Sequence, residues 1–71
     1  MKENKELIVD KLLEVLQLTR ELSDLISLEY LLDDKGNELV IATFNTGYAK
    51  VVNVSMDSGI AMISDIVKAL R

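Results

Sequence analysis

The first third of the chain repeats apolar and charged residues with the period of a helix. Between Asn4 and Asp24 neither glycine nor proline interrupts the pattern, and Asn4 is a suitable N-cap. At 100° per residue the polar positions form a stripe roughly 80° wide, while apolar residues cover about twice the arc that one sheet can bury. We therefore predict a helix over about residues 4–24 that buries two faces, one of them against something other than its own sheet. The polar stripe consists of Glu6, Asp10, Glu14, Gln17, Glu21 and Asp24.

After this segment the pattern changes to the two-residue period of strands. The runs "ISLEYLL", "ELVIATF" and "YAKVVNV" predict strands near residues 26–32, 38–44 and 48–54. The separators "DDKG" and "FNTG" both offer Asp or Asn early and Gly at the left-handed position of a three-residue hairpin. We therefore expect an antiparallel meander. The helix propensity of "DLISLEYLL" leaves one alternative, in which the first strand is the end of a longer helix.

If the turns set the register, Asp33 pairs with Asn37 and Phe44 pairs with Tyr48, which divides the sheet into two faces. The predicted core face carries Leu28, Tyr30, Leu32, Val40, Ala42, Phe44, Tyr48, Val52 and Val54. The opposite face is too apolar in its middle to suit exposure to water. We therefore expect that face, together with the first helix, to form an oligomer interface. Its predicted residues are Leu31, Leu39, Ile41, Val51, Val9, Leu13 and Leu16.

The last segment predicts a second helix over about residues 57–70, capped by Ser55 or Asp57. Its expected buried stripe is Ile60, Ile63, Ile66, Val67 and Leu70. The predicted fold is therefore α+β, in the order α-β-β-β-α, with the three-stranded meander packed against both helices. No linker divides the 71 residues, so we expect one domain.

Composition points towards association. A chain of 71 residues buries only about 60% of its unfolded surface, so small domains usually need a disulfide, a metal or a partner. The chain has no cysteine and no histidine, which excludes disulfides and removes the common zinc ligands. Hydrophobic residues make up 49% of it. We expect a homodimer or a larger assembly, with no cofactor and no metal.

The distribution of charge indicates which partners and which cellular location to expect. The formal net charge is −4, whereas phosphate-backbone binding needs a basic face, so direct nucleic-acid binding is disfavoured. Charged residues run through the first fifteen positions, and no apolar run approaches the roughly 18 residues of a membrane span. The sequence therefore predicts a soluble, cytoplasmic protein without membrane association.

The candidate chemistry is sparse. Without histidine or cysteine, only lysine or a carboxylate could activate a serine or threonine, so we expect no enzymatic activity and no catalytic residues. Asp33 and Asp34 precede Lys35-Gly36, where an Asp is expected to bond the turn backbone. "DDKGNE" lacks the spacing of a calcium loop.

A second candidate site lies at the start of the last helix, in "SMDSGIAM". Free amides and the helix dipole there favour an anion, and a glycine lets it approach the backbone. The other interpretation, an ordinary N-cap, is favoured because an Asp already supplies negative charge. Lys50 either extends along the aromatic residues or lines a small pocket with Tyr30 and Tyr48. The candidate anion-binding residues are Asp57, Ser58, Gly59, Lys50, Tyr48 and Arg71, brought together across a subunit boundary.

Three resemblances bear on these expectations. The helix–three-strand–helix order resembles that of double-stranded-RNA-binding domains, but Met56-Asp57-Ser58-Gly59 stands where those domains need basic residues. The segment "GYAKVVNVSMDSGIAMISDIVKAL" resembles small uncharacterised proteins of Gram-positive bacteria and their phages or mobile elements. That resemblance covers residues 44–71 and implies an origin, with no activity attached. Small size and acidity are also similar to those of anti-CRISPR and other anti-defence inhibitors.

We therefore expect a non-enzymatic interaction module that binds another macromolecule, a host protein if the chain is phage-encoded, through the acidic stripe. The first alternative is an oligomeric protein that binds or sequesters a nucleotide-like anion. The second is a structural subunit whose function is association itself.

Overall fold

Two helices and three strands follow one another in the predicted order. The computed structural model describes residues 3–71, which form α1 (Lys5–Gln17), β1 (Leu25–Leu32), β2 (Glu38–Phe44), β3 (Ala49–Asn53) and α2 (Gly59–Leu70). The strands make one antiparallel sheet in the order β1-β2-β3. The predicted α+β fold class is confirmed, and the alternative in which residues 25–32 extend the first helix is wrong.

The first helix begins as predicted but ends seven residues early. The Asn4 side chain accepts a hydrogen bond from the Leu7 N–H at 3.0 Å, as an N-cap does. At the other end, the Thr19 hydroxyl donates to the Leu16 carbonyl at 2.6 Å and accepts from the Leu22 N–H at 3.2 Å. These bonds replace helical ones and turn Leu22 into the core, where it is buried. The prediction of a helix to Asp24 is therefore wrong.

The two hairpin turns have the predicted register. The Asp33 N–H donates to the Asn37 carbonyl at 3.0 Å, and the Phe44 N–H donates to the Tyr48 carbonyl at 2.8 Å. Gly36 and Gly47 have φ angles of 85° and 90°, a region that favours glycine. The Asp33 carboxylate accepts from the backbone of Lys35 and Asn37, and hydrogen bonds, first from the Asn37 side chain, lower its pKa. The turn interpretation is therefore confirmed for Asp33, while Asp34 is exposed beside it.

Both helices contribute to a core on one face of the sheet. The core joins side chains of α1 and α2 to alternate positions of the strands. Its buried members are Val9, Leu16, Leu22, Leu25, Leu28, Val40, Ala42, Val54, Met62 and Ile66. Two residues predicted for this face, Leu32 and Tyr48, are instead 64% and 59% exposed, because they lie beside the hairpin turns at the ends of the strands.

A bulge changes the alternation at the start of β1. The pairing with β2 shifts between Leu25 and Ser27, so Leu25 is 2% exposed and Ile26 is 54% exposed. Strict alternation along "ISLEYLL" predicts Ile26 on the same side as Leu28, and the bulge makes this prediction wrong. The bulge lets Leu25 follow Leu22 into the core.

The second helix starts two residues later than predicted and is rotated. Its N-cap is Ser58, whose hydroxyl accepts from the Ala61 N–H at 3.2 Å, and neither Ser55 nor Asp57 has this role. Met62 and Ile66 are fully buried, whereas Ile60 is 77% exposed. The predicted buried stripe is therefore wrong at Ile60 and omits Met62.

Candidate functional site

The first helix leaves a large part of its apolar surface uncovered. Leu7, Val15 and Leu18 are 51%, 58% and 87% exposed. Next to this strip on the helix lie the exposed acids Glu6, Asp10 and Glu14, spaced four residues apart. We call these six residues the α1 outer surface. The sequence predicted a second buried face on this helix, and within residues 3–71 that face has no covering element.

A shallow apolar groove runs between α1 and α2 beside this surface. It encloses about 430 Å³ and is lined by Leu7, Ile8, Lys11, Leu12, Val15 and Ile63. Only Lys11 is charged, and its ammonium group approaches the Glu14 carboxylate at 3.5 Å in an exposed pair. We call this the α1–α2 groove. An exposed groove with apolar walls suits the apolar side of a partner helix.

The predicted acidic stripe is shorter than expected because the helix is shorter. Glu6, Asp10 and Glu14 lie on α1 and are exposed. Gln17, the last helical residue, donates through its side-chain amide to the Leu25 carbonyl at 2.9 Å. Glu21 and Asp24 fall in the turns that follow the helix. The prediction that all six residues share one helical stripe is therefore wrong for those two.

The row of acids on α1 contains two like-charge pairs that oppose helix stability, although Glu6 in the first turn is favourable to the helix dipole. Glu6 and Asp10, and then Asp10 and Glu14, are like charges at i,i+4, each pair costing about 0.2–0.5 kcal/mol. The pair between Lys11 and Glu14 is exposed, and surface pairs of this kind contribute little. The fold therefore does not require the row of acids, which lies exposed to solvent or to a basic partner.

The predicted anion site at the start of α2 is occupied by a side chain of the same protein. The Glu3 carboxylate accepts a hydrogen bond from the Gly59 N–H at 2.8 Å. An added Cβ at position 59 would meet the carboxylate end of Glu3 and the methyl end of Ile8, both of which are flexible side-chain ends. Negative charge at a helix N-terminus is favourable. Sequence reasoning missed this contact because its partners are 56 positions apart.

The other candidate anion-binding residues lie elsewhere in the chain. Lys50 and Tyr48 are exposed near the second hairpin, where the Tyr48 ring packs against Phe44 at 5.8 Å between centroids. Arg71 follows the last residue of α2, about 18 Å from the start of this 12-residue helix. A single chain therefore does not bring Arg71 and Gly59 into one site.

A polar network lies where the start of α1 meets β2. The Lys5 ammonium group contacts the Glu38 carboxylate at 3.0 Å, and both side chains are mostly buried. The Tyr30 hydroxyl donates to the other carboxylate oxygen of Glu38. These residues line a depression of about 550 Å³ with Glu3, Asn4 and Glu6, so Tyr30 does not share a pocket with Lys50 or Tyr48.

The hydrogen bond between Tyr30 and Glu38 changes the titration of both groups. It is the main reason that the pKa of Tyr30 is raised to about 12, with burial adding to the effect. The same bond, followed by the bond from Lys5, lowers the pKa of Glu38. Tyr30 therefore stays protonated and Glu38 ionised at neutral pH, so neither suits proton transfer there.

Among residues 3–71, Asp57 is the one carboxylic acid whose pKa is raised. The neighbouring Asp65 carboxyl group raises the pKa of Asp57, chiefly because a hydrogen bond between the two requires one of them to be protonated, and burial and the charge of Asp65 add to this effect. The Oδ2 atom of Asp57 is buried without a hydrogen-bond partner. Near neutral pH its charge therefore opposes folding.

We predict that Asp57→Asn raises the melting temperature at neutral pH, because the amide removes one charge and can donate to Asp65. Since the folded-state pKa of Asp57 is raised, the wild type gains stability as the pH falls through that value towards 3.8. The difference between variant and wild type should therefore shrink on acidification. Thermal melts across this pH range measure it, with Asp34→Asn in the exposed turn as control. A less stable variant at neutral pH would mean that Asp57 stabilises α2 through the helix dipole.

The predicted oligomer interface divides into buried and available residues. Val9 and Leu16 belong to the core, at 0% and 6% exposure, so they cannot form an interface and this part of the prediction is wrong. Leu13 packs against the same core and is half-buried. The remaining residues lie on the sheet face away from the helices, which we call the open sheet face. They are Leu31, Leu39 and Ile41, all half-buried, and Val51, which is 57% exposed.

These features define a small two-layer α+β protein with an acidic, partly apolar helix surface and an open sheet face. Comparison with protein-family models, curated proteins and solved structures gives no significant match. Within residues 3–71, no helix has the length and apolarity to cross a membrane, and no cluster of carboxylates is arranged to hold a metal ion. The α1 outer surface and the open sheet face are therefore the candidate functional surfaces of the protein.

Proposed function

We propose that the protein is a non-enzymatic interaction module that binds a basic amphipathic helix of another protein in the α1–α2 groove. The observation that carries the proposal is the α1 outer surface, where exposed Leu7, Val15 and Leu18 lie beside Glu6, Asp10 and Glu14. The fold leaves half or more of each of these leucine and valine side chains exposed to water. Covering them with a partner would gain the free energy of removing apolar surface from water.

The dimensions of the surface suit a helix of a few turns. Leu7 and Val15, which both line the groove, are separated along α1 by about 12 Å at 1.5 Å per residue, which is about two turns. A partner helix with apolar residues at i, i+3 or i+4, and i+7 would place them along the groove. Ile63 supplies the wall from α2, so both helices would contact the partner.

The charge of the surface selects the partner. The acids lie on one side of the apolar strip, and the whole chain carries a net charge of −4. Lysine and arginine beside the apolar face of the partner would pair with Glu6, Asp10 and Glu14. Such complementarity mainly increases the association rate and excludes acidic partners.

The resemblance of residues 44–71 suggests the setting for this proposal. We take the partner to be a cytoplasmic protein of the cell that hosts the phage or mobile element, with the chain acting as an anti-defence-like inhibitor. The surface described above does not depend on that setting, and neither does the following test.

We predict that Asp10→Lys weakens binding to a basic amphipathic peptide at least about tenfold, or 1.4 kcal/mol. The measured ligand is a synthetic helix with leucine on one face and lysine on the other, titrated by calorimetry. The substitution also converts two repulsive i,i+4 pairs into attractive ones, so the melting temperature should rise. A variant that is more stable yet binds less separates the role of the surface from any role in folding.

The matched control is Glu29→Lys, which changes the net charge equally but lies on the open sheet face. It should leave binding of the peptide nearly unchanged. Val15→Ser should also weaken binding, because it removes an apolar contact without altering charge. Equal losses in Asp10→Lys and Glu29→Lys would show that only net charge matters and would overturn the proposal. Undiminished binding by Asp10→Lys would do the same.

A second candidate function, assembly as a structural subunit, is favoured by the half-buried leucine and isoleucine residues of the open sheet face. The anion-binding alternative gains no support from the start of α2, because the Glu3 carboxylate already accepts the Gly59 N–H. We therefore do not propose an anion as the ligand.

A further inference from the structure

We infer that β3 pairs along its free edge with β3 of a second copy, which joins the two three-stranded sheets into one continuous antiparallel sheet. This goes beyond the proposed function, because it concerns the edge of the sheet and a different partner. The observations that support it are the hydrogen-bond register, the state of the two sheet edges and the arrangement of side chains along β3.

The register fixes which backbone groups of β3 point outwards. The Phe44 N–H donates to the Tyr48 carbonyl, and the Val54 N–H donates to the Glu38 carbonyl at 2.9 Å. Hydrogen-bonded pairs alternate along an antiparallel ladder, so Lys50 and Val52 also direct their backbone groups to β2. Ala49, Val51 and Asn53 therefore direct their N–H and C=O groups away from the sheet. Among residues 3–71 these groups have no backbone partner.

The two edges of the sheet differ. The β1 edge is bulged between Leu25 and Ser27, and the Leu25 carbonyl already accepts from Gln17. Bulges are a common means of blocking edge pairing. In contrast, β3 pairs with β2 without a bulge, and four of its five side chains are exposed. The regular, uncovered edge of β3 is therefore the available one.

The sequence of β3 suits pairing with itself. In an antiparallel pair around a two-fold axis at Val51, that residue faces its own copy, and Ala49 faces Asn53. Lys50, the only charged residue of the strand, then faces Val52, so like charges do not oppose each other. The arrangement would form roughly six backbone hydrogen bonds. It would also bring two β-branched side chains into contact on the open sheet face, where Val51 is now 57% exposed.

Edge pairing leaves the α1–α2 groove accessible. The first helix packs chiefly over β1, at the opposite edge of the sheet. A dimer formed through β3 would therefore present two copies of the α1 outer surface. Loss of the dimer and loss of peptide binding can accordingly be observed separately.

The test is the mass in solution, measured by light scattering over a wide concentration range. We expect the wild type to reach twice the chain mass of 7.9 kDa. Val51→Pro should give a folded monomer, because it removes an N–H that points outwards and leaves the bonds to β2 intact. Val51→Lys provides a second test, since it places two like charges opposite each other. Val51→Thr retains the N–H and the strand preference and should remain dimeric.

One further variant separates edge pairing from stacking of the open sheet faces. Ile41→Lys places a charge in the middle of that face and should leave the β3 dimer intact. A wild type that is monomeric at every concentration would overturn the inference. So would dimers that persist in both Val51→Pro and Val51→Lys, or a dimer that is lost in Ile41→Lys. If Val51→Pro fails to fold, a monomeric Val51→Lys beside a dimeric Ile41→Lys supports the inference, and a dimeric Val51→Lys overturns it.

Discussion

Replacing Ile66 with alanine is expected to lower the free energy of unfolding by about 3 kcal/mol. The side chain is fully buried in the middle of α2, within the cluster that also contains Met62, Val9 and Val40. Truncation of a buried isoleucine removes its transfer free energy and leaves a cavity, a loss of about 2–5 kcal/mol. A domain of 71 residues has a total stability of about 4–10 kcal/mol. The change therefore removes a large part of it.

The measurement is urea or thermal unfolding followed by circular dichroism. For a domain of this size each kcal/mol shifts the melting temperature by about 4–8 °C, so the variant should melt more than about 12 °C lower. Ile60→Ala is the matched control, since it is the same substitution in the same helix at a residue that is 77% exposed. It should change stability by less than about 0.5 kcal/mol.

This comparison also tests the rotation of α2. The sequence pattern predicted that Ile60 and Ile66 are both buried, whereas the structure buries Met62 and Ile66. Similar losses in the two alanine variants would support the rotation that the pattern predicted. A large loss in Ile66→Ala alone would support the observed packing.

The features that could be predicted from the sequence are those determined by nearby residues. The turns around Gly36 and Gly47 need a left-handed residue after an Asp or Asn, and this local chemistry fixed the register of all three strands. The Asn4 cap was predictable for the same reason. Hairpin pairing then determined which residues lie on the open sheet face.

The features that could not be predicted depend on competition between local preference and the core. Helix propensity continues past Gln17, but Leu22 and Leu25 can both reach the core only if the helix stops and β1 bulges. Thr19 and Ser23 were a weak signal of this end, because both side chains bond to nearby backbone carbonyls. The contact between Glu3 and Gly59 and the pair of Asp57 with Asp65 depend on tertiary packing, which no local pattern reveals.

Replacing Glu38 with glutamine is expected to cost about 2 kcal/mol at neutral pH. The carboxylate accepts hydrogen bonds from Lys5 and Tyr30, and the side chains of Lys5 and Glu38 are only 15% and 19% exposed. The amide would leave the Lys5 ammonium group without a counter-charge in a mostly buried position. Hydrogen bonds to charged groups contribute about 1.5–3 kcal/mol, and breaking a fully buried pair costs more. Glu29→Gln, at an exposed position on β1, is the control and should change little.

The pH dependence of the variant gives an independent test. The folded-state pKa of Glu38 is lowered, so its contribution is present above its ordinary value of 4.5 and is lost as the pH falls through the folded-state value. The pKa of Tyr30 is raised from 10.0 to about 12, so its contribution is present below pH 10 and is lost as the pH rises towards 12. Stability of the wild type relative to Glu38→Gln should therefore fall at both extremes.

Tyr30→Phe divides these two effects. The substitution removes the phenol that titrates. The fall in stability that the wild type shows as the pH rises towards 12 should therefore be absent from this variant, while the ion pair between Lys5 and Glu38 remains. The double variant should lose less than the sum of the two single losses, because both substitutions break the same hydrogen bond. Additive losses would mean that Tyr30 and Glu38 act independently, and the bond between them would then have no net effect on stability. Less-than-additive losses would instead show that this network couples the start of α1 to β1 and β2. The position of the α1 outer surface depends on these elements.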